Sequence, residues 1–580
     1  MGQMVVAGGA GPDQGRSVDI AARRSVWNRA ASPRAEKDPF PDRLADPEPA
    51  RGGSRCSLLL AAGLVLFCLL PRAAMALRIG AICPDGAFYI KLAKALEAGD
   101  LAQGLREMNL NTFTLALAGL HRMGFNWELA AKIWGVSLSS LAVLPLYGWV
   151  RRQFDGRTAL AACFLYAVHA PLVRWSPEAI RDPGFWLFFT CSIYLVWRAV
   201  TEVSLPWFLA AGTAITLAAL TRFEGLFLLI PLALWSWWRY WALRQGRRWL
   251  LVGALSCAAV LPLWVILANL LWLGEQPGWT WTRLRPVTLV HAWLLSYHAP
   301  AALAGSFPDL PVTTSAVGTP WRRMLLVFAP TLVKGFAPVF SLLMFAGLWR
   351  WRRVWARRDY QPLFYLGLAV LGGMWIQLWA AEESSPRYVF PLVIGAAPFA
   401  GLGLLAWSGA LRRLAQRSRS RRDWCGLVGL CPWCLMAIGG LGAALWAGDY
   451  QHRAGQAALG RWIVRQFGPS PTLVGVGGLT DVVNFYAEGE CWRFHASDSE
   501  ATVLDLVRRR NPHLVLLVPT SRMNAARCRT ISAELEGMGF QRIAPGRLPR
   551  GCESLVVLSR GGPDRPPSRA VADRNSTSTI

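Results

Sequence analysis

Pro84-Asp85-Gly86-Ala87-Phe88-Tyr89-Ile90-Lys91-Leu92-Ala93-Lys94 stands shortly after the first long apolar block, Cys56–Leu70. At helical spacing Phe88, Tyr89, Leu92 and Leu96 share one side, and Lys91 and Lys94 the other. That sorting predicts a helix lying in the membrane interface, with its apolar face in lipid, its cations at the headgroups and Gly99 as its stop. Asp85 then opens the helix at the mouth of a hydrophobic span. Alone it reads equally well as a solvated loop carboxylate; its surroundings decide between the two.

The surroundings are a membrane. Of 580 residues, 53% are hydrophobic, and they fall in long blocks, which excludes an ordinary soluble protein and predicts a mainly α, polytopic helical bundle. The net charge of +26 is carried almost wholly by Arg, since Lys occurs only at 37, 91, 94, 132 and 334. A basic balance can mean nucleic acid. Here the Arg clusters lie between apolar spans and read as topology signals facing anionic lipid, so no nucleic-acid partner is expected.

Spans are expected near 56–77, 129–150, 158–174, 183–199, 206–221, 223–240, 249–272, 325–348, 361–380, 388–410 and 424–446, eleven in all. Each is near the ~20 residues needed to cross. With a cytoplasmic N-terminus, alternation sends Arg151–Arg157, Arg239–Arg248, Arg350–Arg358 and Arg412–Arg422 all to the cytoplasmic side, as the positive-inside rule asks. A miscount by one span would break that agreement. Leu110–Leu120 is short for a span and reads as an interfacial or re-entrant helix. The segment 274–322, with His291, Tyr297 and His298, reads as a large external loop.

The ends differ from the middle. Residues 1–55 and 561–580 are polar and small-residue-rich, predicting disordered segments on either side of a membrane domain, 56–448, and a C-terminal domain, 449–560. In the latter, helix-like and strand-like patterns alternate, with strands at Thr472–Val476, Leu514–Val518 and Ser554–Leu558. This predicts a small extracytoplasmic α/β layer with a mostly parallel sheet. Gly475-Val476-Gly477-Gly478 departs from the dinucleotide-binding spacing, and Cys431-Pro432-Trp433-Cys434 lies inside an apolar span. Neither predicts a nucleotide or redox cofactor.

The same topology gathers ionisable groups on the external side: Asp85; Glu178, Arg181 and Asp182 in one turn; Arg222 and Glu224 in another; Glu382-Glu383; and Arg387-Tyr388 at the start of a span. Lys334 lies within a span. Such groups at membrane depth tend to mark a site. Carboxylates beside cations on one face suit a lipid-linked phosphate, which the cations hold while a carboxylate deprotonates an incoming hydroxyl or binds a divalent metal.

Four motifs carry a resemblance across roughly residues 56–410: Asp85 with Tyr89; Pro177-Glu178-x-x-Arg181-Asp182-Pro183; Leu220-Thr221-Arg222-Phe223-Glu224-Gly225; and Pro386-Arg387-Tyr388-Val389-Phe390-Pro391. In order and spacing they resemble the lipid-linked-sugar glycosyltransferases of the GT-C fold. The similarity is to the bacterial branch related to protein O-mannosyltransferases and aminoarabinose transferases. The resemblance implies transfer of a sugar from a polyprenyl-phosphate donor to an extracytoplasmic protein, lipid or envelope glycan, by a multi-pass plasma-membrane enzyme. It implies Asp85 as acid/base or metal ligand, and Asp182, or less directly Glu178, as the second-loop acid. Arg387, Arg222 and Lys334 would hold the donor phosphate, with Tyr89, Arg181, Glu224 and Tyr388 in support. A divalent metal at Asp85 and Asp182 is left open. Two departures stand out: Gly86, where many relatives carry a second acid, and Asn109-Leu110-Asn111-Thr112, where many carry His-Pro-Pro. The rival readings are a polytopic transporter, whose charges would sit nearer the midplane, and a scaffold that anchors the C-terminal domain.

Overall fold

The computed structural model describes residues 54–100, 111–242, 247–272, 320–350, 352, 361–381, 385–417, 424–446, 450–468, 470–496, 498–519, 523–552 and 554–561. The N-terminal segment before Ser54, nearly all of the 274–322 loop, Glu382-Glu383 and the tail after Gly561 lie outside them. By contacts the chain divides at 57/58. Of the first unit only the start of one helix is described, and everything below concerns the second.

Apolar sequence becomes helix wherever it runs unbroken, because a chain in lipid must satisfy its own backbone. Helix α1 spans Ser54–Arg78 and α2 Pro84–Glu97. Helices α3 (Thr112–Arg122), α4 (Trp127–Leu141), α5 (Val143–Gln153), α6 (Gly156–Val168) and α7 (Ala170–Trp175) follow. Helices α8 (Asp182–Glu202) and α9 (Leu205–Thr221) lead into a 3-10 turn, Phe223–Leu228, then α10 (Leu229–Ala242) and α11 (Arg247–Trp272). After them come α12 (Pro320–Phe336), α13 (Pro338–Arg350), α14 (Gln361–Ala381), a 3-10 turn Pro386–Val389, α15 (Phe390–Arg417) and α16 (Trp424–Trp446). Polar side chains start several of these helices: Asn111, Asn126 and Asp155 each accept a bond from the first turn they precede.

Five of the described helical segments are long and apolar enough to cross a membrane: Ser57–Arg78, Trp127–Gln153, Asp182–Glu202, Pro386–Gln416 and Leu427–Trp446. The core of the bundle is Ala- and aromatic-rich, with Trp149, Trp186, Phe185 and Phe208 sealed in, while Leu58, Leu59 and Trp446 face outward. Arg72, fully buried in α1, donates to the carbonyls of Cys68, Tyr166 and Ala167, the last two in the final turn of α6. The two Nη groups of a buried cation are thus held in part by a helix C-terminus. Cys431 and Cys434 are exposed on α16, with free thiols.

Two expected spans are interrupted. The 325–348 segment is not one rod: it bends by 86° between Phe336 and Pro338. Ala337 takes a left-handed conformation, φ 60°, and Pro338 lacks the N–H that would continue the ladder. The 158–174 segment breaks at His169, whose Nε2 lies 3.1 Å from the Phe336 carbonyl oxygen at that same bend.

The C-terminal layer comprises α17 (Tyr450–Phe467), β1 (Thr472–Val476), α18 (Gly477–Ala487), β2 (Glu490–Phe494), α19 (Glu500–Arg510), β3 (Leu514–Leu517), α20 (Ala525–Gly537), β4 (Phe540–Arg542) and β5 (Val556–Arg560). The sheet order is β2-β1-β3-β5-β4. β1 pairs parallel with β2 and β3, but β5 pairs antiparallel with β3 and β4, so the sheet is mixed rather than mostly parallel. β2 and the three-residue β4 are partly exposed, and carry little of the apolar alternation that marks a strand in sequence.

This layer corrects the reading of α2. Tyr89, Ile90, Leu92 and Ala93 are buried in protein, not lipid. Tyr89, Ile90 and Ala93 share one core with Phe113 and Leu117 of α3 on one side and Ala457, Val482 and Tyr486 of the C-terminal layer on the other. The cation side follows suit: Lys94 stands 5.6 Å from the ring of Phe485.

Candidate active site

The site begins where α2 begins. Cys83 is extended, and Pro84 starts the helix with its φ already set. Asp85 falls in the first turn, where the helix dipole favours a carboxylate. Gly86 is pressed against the turn that precedes α8: a Cβ there would lie 2.6 Å from the Cβ of Ala179. The missing second acid therefore has a structural reason, since no side chain fits after Asp85. The other departure, Asn111-Thr112, ties the start of α3 to the end of α9. Asn111 Nδ2 donates to the Thr221 carbonyl at 3.0 Å, and the hydroxyls of Thr112 and Thr221 meet at 2.6 Å.

Two arginines face the carboxylates. Arg387 Nη1 lies 2.5 Å from Asp85 Oδ2, with the two side chains 17% and 44% exposed. Its Nε is buried and has no acceptor among the described residues. Its guanidinium sits 5.9 Å from the Trp175 ring and 5.5 Å from the Tyr388 ring. Arg222 is extended between α9 and the following 3-10 turn, which folds tightly because Gly225 can approach Ala218 and Ala219. Arg222 Nη1 bonds Asp182 Oδ1 at 2.6 Å, while its Nε and Nη2 both reach Glu224 Oε1. Here the exposure is 4% for Arg222 and 2% for Asp182. Arg222 also packs over Tyr388, at 4.8 Å, and Phe185, at 5.8 Å.

Tyr388 thus lies between the two guanidiniums, and Arg387 is within electrostatic reach of both Asp85 and Asp182. Tyr89 reaches the same cluster from α2, with the Arg181 guanidinium 6.0 Å from its ring. Burial pushes the Tyr89 phenol up, so it is a neutral hydroxyl near neutral pH.

Of the residues singled out in the sequence, Asp85, Tyr89, Arg181, Asp182, Arg222, Glu224, Arg387 and Tyr388 come together. Lys334 is exposed on the last turn of α12 and makes no ion pair among the described residues. It is nevertheless anchored beside the cluster, because Gly335 packs on Val389 of the 3-10 turn that carries Arg387. Glu178 turns the other way: its Oε1 lies 2.6 Å from Arg453 Nη1 of α17, and the carboxylate is 2% exposed. Burial raises its pKa, which Arg453 partly offsets. Arg453 and Trp175 were not singled out from sequence. Arg453 is one arginine among many, and its partner is 275 residues away.

For a metal, the donor set fits poorly. Among the described residues no group of three or more His, Cys, Asp or Glu gathers, and Asp85 and Asp182 each already face a guanidinium. Gly475-Val476-Gly477-Gly478 has a packing role, since a Cβ on Gly478 would lie 2.7 Å from the Cβ of Pro84.

Comparison with known proteins adds an independent line. A profile described as dolichyl-phosphate-mannose-protein mannosyltransferase matches residues 114–272. The chain is 28% identical over 421 residues to the undecaprenyl phosphate-alpha-4-amino-4-deoxy-L-arabinose arabinosyl transferase of Pseudomonas aeruginosa, covering 62% of this chain and 72% of the relative. The crystal structure of ArnT from Cupriavidus metallidurans bound to undecaprenyl phosphate superposes with a TM-score of 0.51 at 13% identity, covering 88% of this chain and 99% of the other. Its apo state gives 0.50, again at 13% identity, over 87% and 98%. At those identities the superposition speaks for the fold.

Proposed function

We propose that this chain, a GT-C-fold membrane glycosyltransferase related to the aminoarabinose transferases and the protein O-mannosyltransferases, uses Asp85 and Arg387 as its reacting pair. The donor is a polyprenyl-phosphate-linked sugar and the acceptor is extracytoplasmic. The observation that carries the residue assignment is the half-open Asp85–Arg387 pair, with one guanidinium N–H still unclaimed, next to the sealed Asp182–Arg222–Glu224 group.

The chemistry follows from these groups. An acceptor hydroxyl attacks the anomeric carbon. The new C–O bond forms as the bond to the phosphate oxygen breaks, and Asp85 takes the hydroxyl proton. Charge builds on the departing phosphate, where the Arg387 guanidinium and Lys334, which makes no ion pair among the described residues, offer donors. Arg222 acts mainly by fixing Asp182 and Tyr388 around them. A single displacement inverts the anomeric centre. No step is routed through a metal ion: the positive charge it would bring is carried here by guanidiniums.

Supporting topology, we read eleven crossings, two of them broken at His169 and Ala337, a cytoplasmic N-terminus and an extracytoplasmic layer 449–560, because helical segments cover the described part of every expected crossing and that count puts the Arg clusters on one side. A protease-protection map of tagged termini tests that orientation. The function is tested by turnover in nanodiscs of a panel of radiolabelled polyprenyl-phosphate sugars, comparing the parent protein with Asp85→Asn. The expected result is transfer by the parent and a loss of about 10²–10⁴-fold in the variant, the range for a removed general base. Equal turnover by both would remove Asp85 from the chemistry. Absence of any donor turnover or binding by folded parent, with envelope extract as acceptor, would favour a transporter or scaffold.

A further inference from the structure

We propose that Arg453, contributed by the C-terminal layer, is a positioning residue for the transferase site: by neutralising buried Glu178 it holds the 176–181 turn on which both Asp85 and Asp182 rest. The inference rests on the transferase reading above. Three contacts make the turn a shared footing. Gly86, next to Asp85, lies against Ala179, and the Cys83 thiol reaches the Ala179 carbonyl at 3.9 Å. Asp182 opens α8 directly from the turn and holds Arg222. Glu178 points from the turn's back face into Arg453 at 2.6 Å, almost wholly out of water.

The C-terminal layer grips the same region at two more points. Tyr486 Oη accepts from the Ile82 N–H at 3.1 Å, and Gly478 closes on Pro84. Of these three contacts, the Arg453 contact is the one between charged groups. A buried carboxylate stripped of its partner is strongly unfavourable and either takes up a proton or pulls toward water. The groups facing Glu178 are Arg453 from α17, Arg174 from α7, Cys83 before α2, and Glu128 and Lys132 of α4 across a small cavity. Of these, Arg453 provides the principal compensating charge. Loss of Arg453 makes Glu178 harder to ionise. The turn then tolerates the protonated acid at low pH and is disturbed as pH rises and the acid ionises.

The test uses the full-length protein in nanodiscs with four forms: parent, Arg453→Met, Arg453→Lys, and Arg453→Met with Glu178→Gln. For Arg453→Met we expect kcat to fall about 10–100-fold with donor KM within about threefold, since a misplaced reacting group costs rate rather than binding. The deficit should deepen as pH rises. Arg453→Lys should recover part of the rate. The double variant, which has no buried charge to strand, should recover more of it and lose the added pH dependence. Alkylation of Cys83, mapped by mass spectrometry, reads the same footing without any turnover: faster in Arg453→Met, slow again in the double variant. Unchanged kcat and Cys83 labelling in Arg453→Met would overturn the inference, as would a double variant no better than the single one. If no form turns over donor, the transferase reading fails separately, and the Cys83 pattern still decides whether Arg453 holds the turn.

Discussion

Arg222 lies 4% exposed between Asp182 and Glu224, whereas Arg387, its neighbour across Tyr388, holds a carboxylate that is 44% exposed. The first guanidinium is hydrogen-bonded to two acids in a dry setting, and its charge is spent on structure. The second is paired directly with one acid, which is itself open to solvent, and feels Asp182 only at longer range. Buried pairs are costly to break, while exposed pairs add little to stability. The contrast separates what builds the site from what works in it.

The sharpest way to break the comparison is Arg222→Met. It strands Asp182 and Glu224 without their hydrogen-bonded cation, and the expected loss is about 3–5 kcal/mol of stability. Detergent thermal-unfolding and size-exclusion profiles check this, and a protein as stable as the parent would refute the structural role. Arg387→Met should behave differently. Because Asp85 is nearly half in solvent, the stability change should stay within about 1 kcal/mol. Turnover should drop about 10²–10³-fold, as when one oxyanion-stabilising donor is removed. An equal effect of both substitutions on stability would erase the distinction. Lys334→Gln should give the smallest change: unaltered unfolding, donor KM raised about threefold, and a weaker dependence of KM on salt.

Much of this site could be read from the sequence because its members announce themselves locally. Asp85, Asp182, Arg222 and Arg387 are charges at the ends of apolar runs, where few charges are tolerated. The helical nature of the bundle was equally plain. What escaped was anything that depends on what packs against what. An amphipathic pattern such as that of α2 says that one face avoids water, but it is the same pattern whether lipid or Val482 and Tyr486 supply the cover. Gly86 read as an absent acid, and the reason for it became visible only with Ala179 against it. The bend at Ala337 hid inside an apolar run because hydropathy has no term for a positive φ. The mixed sheet escaped because β5, whose strand pattern is plain, pairs antiparallel with β3, and a strand's own pattern does not state its direction.

The bond from the Ile82 N–H to Tyr486 joins residues 404 positions apart. A ribosome adding roughly 5–20 residues per second needs about 20–80 s to travel that distance. For that interval the helix bearing Asp85 has emerged with no cover for the face that Tyr486 will close. The candidate site is therefore completed only after the C-terminal layer has been made, by a part of the chain that lies outside the bundle. A chain already threaded into the bilayer would be held silent until that layer has been synthesised.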